Sequence, residues 1–160
     1  MRVFIPAVHA ELTAPTPPVR NGWTAVPPAG ATHDDIEVLE DDAQTEAALA
    51  SLTLLRDSAG APATRLILAV DSAGACQVGD AVDGVAEAEV PVYGWGDVKA
   101  ILLDGEDAAP AVQRVISADD QDDADEAVAD LWDYALEWYD IEELPDVIDM
   151  LSARGASQPA

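Results

Sequence analysis

Apolar residues fall along this chain in two kinds of pattern. Residues 3–5 and 66–70 are continuous apolar runs, the pattern of strands covered on both faces, and residues 98–103 form a third apolar strand. The first two predict central strands, the first bounded by Pro6. In residues 86–90, Ala86, Ala88 and Val90 alternate with Glu87 and Glu89, which predicts a half-exposed strand that Pro91 confines to an edge. Helical spacing governs other stretches. Ala43, Ala47, Ala48, Leu52 and Leu55 recur at steps that line one face of a helix ending near Arg56. Thr32 followed by Asp35 is a helix-start signature, leaving open whether residues 33–40 join that helix or form a separate turn. A further helix carries Ala108, Val112, Val115 and Ile116 inward, with Pro110 near its start.

The stretch 127–151 holds Trp132, Tyr134, Trp138 and Tyr139, four of the eight aromatic residues. Val128, Leu131, Trp132, Ala135, Leu136 and Tyr139 follow steps of three and four. They predict a C-terminal aromatic helix that closes the core, because such stripes are usually structural. Pro145 then suits the first turn of a second short helix with Val147, Ile148 and Leu151 inward.

Strands separated by helices predict an α/β or α+β layer fold with a mixed sheet of four or five strands. The chain of 160 residues is long enough for one domain with a sizeable core, expected over residues 1–152, and residues 153–160 are expected to form a flexible tail. Within the domain, residues 11–31 contain Pro15, Pro17, Pro18, Pro27 and Pro28. That composition predicts a surface loop denied both a helix and a central strand, with at most a short strand near Trp23. The lone Cys76 fits a reducing compartment. No segment matches a signal peptide or a membrane span, so the expectation is a cytoplasmic protein.

Charge narrows the partners. Thirty-two acidic residues against seven basic ones give a formal charge of −25. Nucleic acid and anionic membranes, which require clustered Lys and Arg, are therefore excluded as expected partners. A protein partner with a basic surface fits, with Trp23 and Trp95 as contact candidates, and nothing fixes the oligomeric state. A weaker alternative is mimicry of nucleic acid by rows of carboxylates.

Catalytic and metal patterns are incomplete. The densest acidic stretch contains Asp119, Asp120, Asp122, Asp123 and Asp125, weak candidates for a cation site. An EF-hand loop counted from Asp119 puts Ala124 at the glycine position and Asp130 where glutamate belongs. Solvated helix-start residues explain the stretch more simply. Residues 70–74 only superficially suggest a nucleophile elbow, since Val70 stands where glycine is needed. Gly94-Trp95-Gly96 lacks the third glycine of a dinucleotide fingerprint and leads into a strand. No catalytic residue and no cofactor follow from these patterns. The alternative to a binding protein is a small enzyme or cation-dependent protein with carboxylates at strand ends, where Asp71 and Asp104 stand.

Residues 1–7, MRVFIPA, and the late block Leu136-Glu137-Trp138-Tyr139 with Glu143-Leu144-Pro145-Asp146-Val147-Ile148 resemble a family of small acidic actinobacterial proteins of unknown function. The order of the central helix and the following strand is also similar, so the resemblance covers most of the chain. It implies no activity. Such proteins follow the first strand with a helix, which Pro15, Pro17 and Pro18 make short or absent here.

Overall fold

A computed structural model describes residues 1–72 and 76–157. Their strands are β1 (Arg2–Ala7), β2 (Gly22–Ala25), β3 (Leu66–Asp71), β4 (Gln77–Val78), β5 (Val85–Glu89), β6 (Val98–Asp104) and β7 (Leu136–Asp140). They form one seven-stranded sheet in the order β4-β5-β2-β1-β3-β6-β7. Helices α1 (His33–Arg56), α2 (Ala109–Ile116), α3 (Gln121–Leu131) and α4 (Leu144–Ser157) complete an α+β fold. Every pairing is antiparallel, so the sheet is not mixed, and it has more than the four or five strands expected. The unexpected strands are β4, two residues too short for a periodic signal, and β7, taken from the predicted aromatic helix.

Continuous apolar runs arise because the middle of the sheet is covered twice. Val3, Ile5, Leu68, Val70, Ile101 and Leu103 face a layer supplied by Leu12, Tyr93 and the α4 residues Val147 and Leu151. Phe4, Ile67, Ala69 and Leu102 face α1, whose contact residues are Ala43, Ala47 and Ala48. Small side chains bring that helix close to the strands. Its buried Ser51 hydroxyl accepts from the Leu66 amide at 3.0 Å and donates to the Ala7 carbonyl. Leu52 and Leu55, further along α1, pack on Val112, Val115, Ala127 and Leu131 of α2 and α3. Thr32 caps α1 and Asp35 returns the bond, so residues 33–40 belong to one helix of 24 residues.

Two boundaries depart from the apolar pattern. β1 continues through Pro6 to Ala7, and the Arg20 guanidinium takes the Pro6 carbonyl. β2 is interior, between β1 and β5, although its segment is proline-rich. Gly22 makes this possible, since a Cβ there would lie 2.5 Å from the Phe4 carbonyl oxygen and 2.7 Å from Val3. Between β1 and β2 stands only a 3-10 turn, His9–Thr13, so the helix implied by the family resemblance is reduced to one turn.

The largest correction concerns the aromatic helix. α3 stops at Leu131, and residues 136–140 form β7 along β6 instead. A continuing helix would bond the Tyr134 carbonyl to the amide four residues on. Here the buried Arg65 guanidinium takes that carbonyl at 3.0 Å. Leu136-Glu137-Trp138-Tyr139-Asp140 also carries strand-favouring aromatics at its centre. Trp132 and Trp138 are consequently 56% and 51% exposed rather than closing the core. α4 buries Val147 and Leu151 as expected but runs on through residues 153–157, which the sequence assigned to a tail. The edges are β4 and β7, not β5, because β4 covers it.

Candidate functional site

The placement of the cations determines where the negative charge is left uncompensated. Arg2, Arg20, Arg65 and Arg114 are paired with Asp71, Glu11, Asp104 and Asp130. Arg56 and Arg154 donate to the backbone carbonyls of Ala118 and Asp104. The six arginines are thus engaged within the fold, which leaves most of the 32 carboxylates facing solvent without a cation.

One concave region gathers such carboxylates. Between α1 and the β4–β5 hairpin lies an open groove of about 630 Å³. Asp42 and Glu46 enter from α1, Asp80 and Asp83 from the hairpin loop, and Glu87 from β5. Trp23 of β2 lines it, half-buried against the α1 layer and opposite Glu87 in register. Among the described residues no Lys or Arg lines the groove. The hairpin forms because Asp83 and Gly84 both adopt positive φ, 53° and 82°, as the two-residue turn between Val82 and Val85 requires. A Cβ on Gly84 would also meet Leu39 of α1 at 2.5 Å, so glycine lets the hairpin tip approach the helix. Five carboxylates beside an indole suit a cationic group, by charge and by the ring's negative face.

The sequence candidates lie elsewhere or are otherwise engaged. Asp120 caps α3, accepting from the Asp123 amide at 2.8 Å, and Asp125 accepts from Gln121 at 2.7 Å. Asp119, Asp122 and Asp123 are solvent-side neighbours at the start of that helix. Among the described residues no group of three or more His, Cys, Asp or Glu is placed to hold a metal ion. Asp71 and Asp104 end antiparallel neighbours and so lie at opposite ends of the sheet. Asp71 binds Arg2, whose hydrogen bond holds its carboxyl below the usual range. Asp104 is fully buried against Arg65. The strand-end carboxylate site is therefore not assembled, because the crevice it needs belongs to parallel sheets. Ala73 and Gly74 of the elbow-like segment lie outside the described residues. Ser152 Oγ is 3.2 Å from His9 Nε2, but on exposed surface and with no third group orienting the imidazole among the described residues.

Trp95 is a structural clamp. Its Nε1 donates to the Ala14 carbonyl at 3.0 Å, and the Tyr93 hydroxyl donates to the Pro18 carbonyl. Burial pushes the Tyr93 phenol up to about 12. With the Arg20–Glu11 pair, these contacts strap the proline-rich segment over the sheet. Trp23, by contrast, reaches the groove, whose acids the sequence did not single out because they come from α1, a hairpin and β5.

Among the described residues no helix is long and apolar enough to cross a membrane. Over residues 1–148 the chain matches the model of a family of unknown function, DUF6912. No curated protein and no solved structure matches it.

Proposed function

The chain belongs to that family, DUF6912, and from the geometry of its own surface we propose that it is a non-catalytic binding protein whose acidic face receives a basic protein partner. A single observation carries this reading: the groove beside Trp23 is lined by Asp42, Glu46, Asp80, Asp83 and Glu87 and, among the described residues, by no cation. A Lys or Arg side chain of the partner enters it, its charge met by the carboxylates and its stem or guanidinium laid on the indole. The wider negative surface raises the encounter rate, and the groove supplies the specific contact. Partner and protein meet in a cytoplasmic setting.

The test is affinity capture from native lysate at low and moderately high salt, comparing the wild type with two neutralised variants. One carries Asp42→Asn, Glu46→Gln and Asp83→Asn, and the other carries Asp119→Asn, Asp122→Asn and Asp125→Asn. A stoichiometric partner that survives the higher salt is expected with the wild type and the α3 variant, and lost from the groove variant. Retention of that partner by the groove variant overturns the assignment. Capture of many basic proteins at low salt alone would mean that the charge acts without a site.

A further inference from the structure

We infer that the outer edge of β7 is a second docking surface, one that takes an extended basic segment of a partner as an eighth strand. The sheet has two edges, and they differ. β4 is two residues long, too short to template another strand, whereas β7 runs for five. Among the described residues no strand pairs with the outer side of β7. An edge of this length presents alternating unpaired amides and carbonyls, the groups that bind an added strand. The far end of the strand is already fixed, since the Asp140 amide is held by Glu143 Oε2 at 2.8 Å.

Side chains at this edge are those of an interface. Trp132 and Trp138, the two most exposed of the four tryptophans, stand just before and within β7. Exposed Trp is the side chain most enriched at binding hot spots. Glu137, Asp140 and Asp133 flank them, all exposed. These charges select the occupant. A second copy of the chain would bring the same acids, and another net charge of −25, against the edge. A strand with Lys or Arg at alternate positions instead carries its cations on one face, where they meet Glu137, and lays the apolar residues of its other face against Trp138. This surface lies at the sheet edge opposite the Trp23 groove, so it stands or falls separately from that reading.

The test uses the full chain and two synthetic peptides that alternate Lys and Val, one unmodified and one N-methylated at every backbone amide. Both carry the same charge, but only the first can join a sheet. Hydrogen exchange should show protection of the outward-facing amides of Leu136 and Trp138 on adding the unmodified peptide. Its affinity should exceed that of the methylated one by about tenfold, and fall about tenfold in Trp138→Ala and in Glu137→Lys. Both positions are exposed, and matching urea midpoints check that each variant folds. Equal affinity for the two peptides, protection confined to the groove, or no binding at low salt overturns the proposal. So does a dimer whose β7 amides are protected without peptide.

Discussion

Replacing Asp104 with Ala should remove much of the stability of this protein. The carboxylate is fully buried and Arg65 is 4% exposed. Its oxygens accept from Arg65 Nη2 at 2.6 Å, from Nε at 3.0 Å and from the Arg65 amide at 2.9 Å. Truncation leaves a guanidinium in the interior with only the Tyr134 carbonyl, and a backbone N–H without an acceptor. Removing one member of a buried pair typically costs about 3–5 kcal/mol, against a total of roughly 5–15 kcal/mol for a domain. With a urea slope near 2 kcal/mol/M, the midpoint should fall by roughly 1.5–2.5 M in unfolding followed by tryptophan fluorescence. The double variant Arg65→Met with Asp104→Leu should be less damaged than Asp104→Ala, because no charge is left buried. A loss under about 1 kcal/mol in Asp104→Ala, or a double variant as unstable as the two single losses added, would refute the account. Arg154 bonds the Asp104 backbone carbonyl, so α4 should stay docked in either variant.

Two further outcomes follow from local geometry. Gly22→Ala should destabilise by about 1–3 kcal/mol in the same assay, since its Cβ would collide with the Phe4 carbonyl and Val3 within the sheet. Tyr93 titrates near 12 when folded against 10.0 as a free phenol, so above pH 10 the unfolded chain holds fewer protons than the native one. Stability from this group is complete below pH 10 and is lost as pH rises towards 12, by roughly 3 kcal/mol at most. Urea midpoints across that window should fall for the wild type and flatten in Tyr93→Phe.

Much of this fold is legible from local pattern. The runs at β1, β3 and β6 announce covered strands because apolar residues on both faces need cover on both faces. Thr32 and Asp35 announce the start of α1, and Pro145 that of α4. What escaped is decided by distant residues. Helical spacing in residues 128–139 is real, but Arg65, about 70 positions earlier, withdraws the Tyr134 carbonyl from the helix ladder, and β6 offers Leu136–Asp140 a partner. β2 becomes interior because Gly22 has no Cβ, a property that a count of prolines hides. The groove was not read from the sequence, although one part of it was there to find. Asp83-Gly84 is a strong hairpin signal in the sequence. That its tip would meet Asp42 and Glu46 is a fact of packing.

The position of β1 bears on how the protein is made. It is the first strand of the chain and the fourth of seven across the sheet, with β2 and β3 as its neighbours. Pairing with β3 spans from Arg2–Asp71 to Ala7–Leu66, so the second side of β1 closes only once Leu66–Asp71 has been translated. Until then Val3, Phe4 and Ile5 form an exposed sticky segment on the ribosome, the kind that chaperones bind. A chain made only as far as α1 has one of the two neighbours of β1, so the other side of its central strand stays open until β3 emerges.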